Sequence, residues 1–323
     1  MSQKPHFKDW KIMLNINSDS HPELYLDINE SLKYLNALNY DDFNYPEETT
    51  IFHTYSEIKN VYELQCIRSF LATQNLEKTK LILWSDYDIS NNCLIDPYKD
   101  YIDMRIYNPF EVAQDTILEN NHDILAAKDE RHWLQSDLLR LVALHKFGGI
   151  WIDMDIVLLR DFKPIMDQEF LYSNFATIDH EKEGMWGTIM GLKQKSNLSL
   201  LFLEELIKIS PEENTKCWGL NLFKKVYQDN KFNVLPAMFF NPEYGVLGWP
   251  NVSVKNKNYI SGIIDGWFFD NVVINSLYTG TFSWHWHNST GRTKKKPKTI
   301  QEGSKFWQMD QIIESKLIER GIL

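Results

Sequence analysis

Cysteine is scarce in this sequence. Its 323 residues include three, Cys66, Cys93 and Cys217, isolated and odd in number. That excludes a disulfide framework and a cysteine-rich zinc module, and it fits a reducing compartment. No run approaches the ~18 uninterrupted apolar residues that a membrane span needs. The stretch from Met1 to Trp10 has no apolar core of a secretory signal, so a cytoplasmic location is expected. Positive charge is also in deficit, with 34 Lys and Arg against 44 Asp and Glu and a formal net charge of −10. Neutralising a phosphate backbone requires clustered cations, so no nucleic-acid partner is expected. The one basic run, Arg292 to Lys298, reads as a short solvated linker. Internal repeats and low-complexity segments are absent as well.

What is present is an ordinary globular composition, 43% apolar and 24% charged, with a generous 14% of aromatics that could line a cleft. From Thr49 the pattern alternates. Thr50–Ser56 reads as a strand, Val61–Thr73 as a helix, Lys80–Trp84 as a second strand and Ile102–Tyr107 as a third. Strands alternating with helices of a dozen residues indicate βαβ units and a parallel sheet, hence an α/β fold. A helix is expected near Ile28–Leu38, and a long one over Ala126–Phe147, where Leu134, Leu138, Leu141, Val142 and His145 fall on one stripe. Gly148-Gly149 ends it, and Ile150–Leu159 follows as a strand. Further strands are expected at Phe170–Ala176 and Thr188–Leu192, with helices at Leu198–Ile209, Gly219–Gln228 and Lys305–Glu319.

Within Ile150–Leu159, strict alternation places Trp151, Asp153 and Asp155 on one face, with the two carboxylates roughly 6.6 Å apart. Burying such charges uncompensated costs several kcal/mol each. A divalent cation carrying an anionic ligand supplies the compensation, because Mg²⁺-like ions are held by one or two carboxylates plus substrate phosphates and water. The plain alternatives are a frayed, solvated strand end for the aspartates and a surface i, i+3 ion pair for Asp137 and Arg140.

The spaced block Ser136-Asp137-x-x-Arg140-x-x-x-Leu144-x-x-x-Gly148-Gly149-x-Trp151-x-Asp153-x-Asp155 resembles the donor-binding block of glycosyltransferases with a DXD motif. The pattern is that of glycosyltransferase family 32, with its α-1,4-galactosyl- and N-acetylglucosaminyltransferase relatives. The large clostridial glucosylating toxins share a similar block. Ile51-Phe-His-Thr-Tyr55, the Leu-Pro and Phe-Phe-Asn-Pro segments at 235–242 and His285-Trp-His-Asn288 extend the likeness over residues 49–290. It implies a glycosyltransferase-A type fold: one Rossmann-like nucleotide-sugar domain with a mixed central sheet and added helices. The chain then divides into an N-terminal helical extension (1–48), a catalytic domain (49–290), and a basic linker with a C-terminal helix (291–323).

The same resemblance implies roles. Asp155 would bind Mn²⁺ or Mg²⁺, and through it the diphosphate; Asp153 would meet the ribose and the metal's surroundings. Asp137 and Arg140 would hold the donor sugar's hydroxyls, and His53 and Tyr55 the nucleotide, Tyr55 stacking on uracil. Trp186 stands where relatives carry an Asn facing the sugar, and His287 where they carry Trp, which leaves His285 and His287 as rival metal ligands. The activity implied is transfer of a hexose or N-acetylhexosamine from a UDP-sugar to a glycan or glycolipid hydroxyl, with retention, as in polysaccharide biosynthesis. Asp179, Glu181, Glu183, Asp265 and Asp270 are loose candidates for a nucleophile with no motif to choose among them, and Asp179–Trp186 for the acceptor side. A peripheral membrane contact, if any, is expected through the tail. Two alternatives remain: a toxin-like protein O-glucosyltransferase, and a dehalogenase-like phosphohydrolase, since Asp153-Met-Asp155-Ile-Val157 also fits that motif.

Overall fold

A computed structural model describes residues 34–174, 184–212, 217–242, 268, 280–288 and 296–323. The helix expected at Ile28–Leu38 falls mostly outside them, as do Asp179, Glu181, Glu183, Asp265 and Asp270. In chain order the main elements are β1 (Thr50–Tyr55), α1 (Val61–Thr73), β2 (Thr79–Ser85), β3 (Ile102–Ile106), α2 (Trp133–Phe147), β4 (Gly149–Ile152) and β5 (Ile156–Leu158). After these come β6 (Phe170–Ser173), β7 (Met185–Leu192), α3 (Asn197–Ile207), α4 (Leu222–Asp229), β8 (Val234–Leu235), β9 (Ser283–His285) and α5 (Lys305–Glu319).

Seven strands form one sheet in the order β3-β2-β1-β4-β7-β6-β8, and β5 pairs with β9 in a second, two-stranded sheet. The first four are parallel, whereas β7 runs antiparallel to β4 and β6. The class is therefore α/β with a mixed sheet, as expected. Both faces of the sheet are covered. Ile67 and Phe70 of α1 and Phe306 of α5 belong to the core on one face, and Leu138 of α2, Phe202 of α3 and Phe223 of α4 to the core on the other. The helices after β1 and before β4 thus lie on opposite faces, while β1 and β4 are neighbours. Such a point, where the connections diverge, opens a crevice at the carboxyl ends of the two strands. Tyr55 ends β1, and Asp153 follows β4.

Gly149 lets those two strands approach. Its φ is +105°, and a Cβ there would lie 2.0 Å from the Ile51 carbonyl oxygen. Gly148, at φ +68°, ends α2 with its amide bonded to the Leu144 carbonyl at 2.9 Å.

Two expectations are corrected. The long helix expected over Ala126–Phe147 is shorter: α2 begins only at Trp133, after a separate helical turn at His122–Leu125. Asp129 is the cause, because its carboxylate accepts the Leu134 amide at 3.3 Å, a cap that competes with helix continuation. His132 then takes a left-handed conformation, φ +57°. The strand over Ile150–Leu159 is broken, into β4 and β5. Asp153-Met154-Asp155 forms a turn between them, closed by the Ile156 amide on the Asp153 carbonyl at 3.1 Å. The aspartates therefore sit on a turn and not on one pleated face. The C-terminal helix stands where it is expected, at Lys305–Glu319, and it packs on the core. Phe306 packs at 4.8 Å centroid distance from both Tyr62 and Trp284, and Met309, Ile313 and Leu317 are buried with it. Burying a Phe of this kind contributes about 2–3 kcal/mol. Phe306, Met309, Ile313 and Leu317 thus engage one face of α5 in the core. Among the described residues no helix is long and apolar enough to cross one.

Candidate functional site

A cleft of about 510 Å³ opens where β1 and β4 end. One wall is Tyr55, Ser56, Glu57, Lys59 and Glu63, from the β1–α1 connection. A second is Arg131, His132, Trp133 and Ser136, from the start of α2. The floor is Asp153, Met154 and Asp155, with Asn288 beside it.

Asp153 is held from its own side of the chain. Its Oδ1 accepts from Trp151 Nε1 at 2.5 Å and from Arg140 Nη2 at 3.0 Å, and Arg140 Nη1 donates to Asp137 Oδ1 at 2.7 Å. Arg140 is buried, and its guanidinium lies over the Trp151 ring at 5.3 Å. One cation thus serves two carboxylates. Burial raises the Asp137 pKa to about 6 against the pull of Arg140. Burial likewise raises that of Asp153, with Arg140 opposing and the charge of Asp155 adding.

Asp155 is held from the far end of the chain. The β5–β9 ladder pairs Ile156 with His285. That register sets His285 Nε2 3.2 Å from Asp155 Oδ1, and the Asn288 amide donates to Oδ2 at 2.8 Å. Trp286 closes the turn through its amide, on the Asp155 carbonyl at 3.0 Å. Burial works to raise this carboxyl, but His285, His287 and the Asn288 amide outweigh it and keep the group well below the usual carboxylate range. Of the two rival histidines, His285 meets Asp155. His287, left-handed at φ +51°, bonds Asn241 through Nε2 at 3.0 Å and stacks on His285 at 3.7 Å.

This donor set fits a divalent cation. Ligands at about 2.1 Å on neighbouring octahedral corners stand about 3 Å apart, the separation of Asp155 Oδ1 and His285 Nε2. The other ring nitrogen, His285 Nδ1, is buried with no hydrogen-bond partner among the described residues. Two protein donors make an open seat and not a cage. Among the described residues no group of three or more His, Cys, Asp or Glu is gathered as a metal centre.

The remaining expected site residues divide. Tyr55 lines the cleft, its hydroxyl donating to Asp86 Oδ1 at 2.7 Å and its ring edge-on to Tyr107. Asp137 and Arg140 stand behind Asp153 and do not line the cleft. Trp186 lies outside the lining too, its Nε1 donating to the Asn174 carbonyl at 3.1 Å. His53 is corrected: it is wholly buried, with Nε2 3.0 Å from the Gly148 carbonyl and Nδ1 accepting from Trp84 Nε1 at 3.3 Å. Both ring nitrogens are engaged inside the sheet, so His53 cannot touch a nucleotide. Burial lowers its pKa to about 4. Lys59, Glu63, Arg131 and Trp133 reach the cleft without having been singled out. Ser136, through the spaced block, and Asn288, through His285-Trp-His-Asn288, carried a signal.

The family described as the glycosyltransferase sugar-binding region containing a DXD motif matches residues 11–171. That span takes in the whole block from Ser136 to Asp155 and begins inside the expected N-terminal extension. The family of capsular polysaccharide synthesis proteins matches residues 120–231. A protein of Arabidopsis thaliana, described as uncharacterised, is 25% identical over 118 residues, 33% of this chain and 18% of that protein. The chain therefore spans about a fifth of the curated relative it matches. Among solved structures, the glycosyltransferase GlyE of Streptococcus pneumoniae TIGR4 is 10% identical, covers 85% of this chain and 64% of its own, and has a TM-score of 0.48. Mouse xyloside xylosyltransferase 1 is 12% identical over 64% of this chain and 92% of its own, TM-score 0.41. The PaToxG glycosyltransferase is 17% identical over 62% and 76%, TM-score 0.40.

Proposed function

We propose that this chain, which matches the family of the DXD-containing glycosyltransferase region over residues 11–171, transfers a hexose or N-acetylhexosamine from a UDP-sugar to a glycan hydroxyl, assisted by Mn²⁺ or Mg²⁺ at Asp155. The observation that carries the proposal is the Asp153-Met154-Asp155 turn at the end of β4. It faces a cleft of about 510 Å³ whose opposite wall is an aromatic side chain, Tyr55.

A divalent cation, when bound, neutralises charge on the departing diphosphate as a Lewis acid. The chain's own residues do the rest. Asp155 and His285 provide the seat, kept in place by the Asn288 amide. Arg140 and Trp151 fix Asp153 so that one carboxylate oxygen is engaged and the other is left for the donor. Tyr55, its hydroxyl tied to Asp86, presents a ring face to the nucleobase. Asp137 acts through Arg140 and sets the position of Asp153. Preorganised charge of this kind is usually the largest catalytic contribution. The family likeness favours retention at the anomeric carbon.

The experiment is a donor screen. Purified chain with Mn²⁺ is offered UDP-Glc, UDP-Gal, UDP-GlcNAc and UDP-GalNAc, and UDP release is measured without acceptor. Slow release from one of them, lost on chelation, is expected. No release from any, together with no metal-dependent UDP binding, would overturn the proposal.

A further inference from the structure

We infer that Lys296 is a second cation for the anionic part of the donor, binding diphosphate oxygens beside the Asp155 seat. The inference rests on the nucleotide-sugar reading above and assigns a residue to it. The run from Arg292 to Lys298 reads in sequence as solvated linker, and Lys296 departs from that reading. Its Nζ lies 4.6 Å from the centroid of the Trp286 ring and 5.5 Å from that of Tyr62. It also donates to Asn288 Oδ1 at 2.5 Å. Trp286 is fully buried, so the ammonium of the half-buried lysine lies over an aromatic floor. Asn288 is the residue whose amide holds Asp155 Oδ2 and whose side chain borders the cleft. The ammonium is thus one residue removed from the DXD carboxylate.

Charge in the cleft gives such a cation a task. Four carboxylates line it, Glu57, Glu63, Asp153 and Asp155, against two full cations, Lys59 and Arg131. Lys59 is paired with Glu57 at 2.7 Å, and the Arg140 guanidinium is taken up by Asp137 and Asp153. A divalent ion on Asp155 would offset the carboxylates and leave the diphosphate's own charge unmet. Among the described residues no carboxylate pairs directly with Lys296. An ammonium has three N–H donors; Asn288 takes one, and attraction to an aromatic face orients the group without consuming the others.

The competing role is a strut that only holds the Asn288 corner, and the test separates the two. The full chain and its Lys296→Gln and Lys296→Arg variants are titrated with Mn²⁺ alone, then, with Mn²⁺ present, with inorganic pyrophosphate and with UDP. If Lys296 meets the diphosphate, Lys296→Gln weakens pyrophosphate and UDP by about tenfold or more, the scale of a hydrogen bond to a charged group. Lys296→Arg recovers most of that loss, and Mn²⁺ affinity and Tm stay unchanged in both. Unaltered pyrophosphate and UDP affinity in Lys296→Gln overturns the assignment, as does a parallel loss of Mn²⁺ affinity and Tm that Arg does not repair. Failure of the unsubstituted chain to bind UDP or pyrophosphate with Mn²⁺ overturns the proposed function itself. It would be seen before any variant is compared.

Discussion

The two aspartates of one turn are anchored by different parts of the chain. Asp153 is fixed by Trp151, Arg140 and, through Arg140, Asp137, all within sixteen positions upstream. Asp155 is fixed by His285 and Asn288, brought across about 130 positions by the β5–β9 ladder. The first arm is a buried charge network with no spare cation. The second pairs a carboxylate with an imidazole at the edge of open space. A buried network serves position, because breaking one member strands another. An open pair suits exchange of a ligand. Under the proposed function, that difference gives the Asp153 arm the holding and the Asp155 arm the binding of the cation.

The largest effect is expected on the binding arm. Asp155→Asn keeps the shape of the side chain and removes its charge, so metal-dependent UDP release should fall about a thousandfold, comparable to removing one key electrostatic group. Tm should fall as well, because His285, His287 and the Asn288 amide favour the charged carboxyl in the folded chain, so release is compared well below the variant's Tm. A UDP-release assay beside a thermal melt checks both. Release that survives the substitution would put the metal elsewhere.

The holding arm should fail differently. Arg140→Met leaves Asp137 and Asp153 without their shared cation, and stranding buried charges costs about 3–5 kcal/mol. The penalty should shrink at pH 5, since Asp137, already raised to about 6 by burial, then takes a proton and no longer needs a partner. Urea unfolding at pH 7.5 and pH 5 measures this. Lost activity with unchanged stability would break the comparison, because Arg140 would then be a binding group.

The sheet beneath the turn supplies the next effect. His53 is buried neutral with its pKa depressed to about 4, from an ordinary 6.5. A histidine held below its unfolded value contributes stability that is complete above pH 6.5 and is lost as the pH falls toward 4. The shift corresponds to about 3 kcal/mol. In urea titrations at pH 7.5 and 4.5, the unsubstituted chain should lose about 2–3 kcal/mol more than His53→Gln does. Equal losses would mean that the ring is solvated, and would return it to the cleft.

What could be read from the sequence follows the same division. The block from Ser136 to Asp155 is local: a helix stripe, two glycines and a strand, each with its own short-range cause, and it pointed to the cleft. So did the alternation of strand and helix from Thr50 onward. Features that depend on partners far along the chain were not legible. Nothing near Asp153 says that the strand breaks there, because the antiparallel partner of β5 is β9. Nothing in an amphipathic tail says which surface covers it, and the rings that receive Phe306 are Tyr62 and Trp284. His53 was assigned to the nucleotide because it stands in the Ile51–Tyr55 segment that carries the likeness, whereas the neighbouring β2 and β4 bury it. Lys296 was passed over because a run of lysines is hydrated unless aromatic rings lie beneath it, as Trp286 and Tyr62 do.

The smallest expected effect is the finest test of the binding arm, because it asks two adjacent histidines to behave differently. The β5–β9 register puts His285 on Asp155, while the left-handed backbone at His287 turns that ring onto Asn241. If the seat is the carboxylate–imidazole pair, His285→Ala should weaken Mn²⁺ binding about 10–100-fold, and His287→Ala, which touches the seat only through the stacked ring, about threefold or less. Mn²⁺ titration followed by paramagnetic relaxation reads the metal directly and does not depend on the choice of sugar donor. Equal losses would make the stacked rings one unit. A larger loss at His287 would mean that β9 shifts when the cation binds, since only a change of register could exchange the two rings at Asp155.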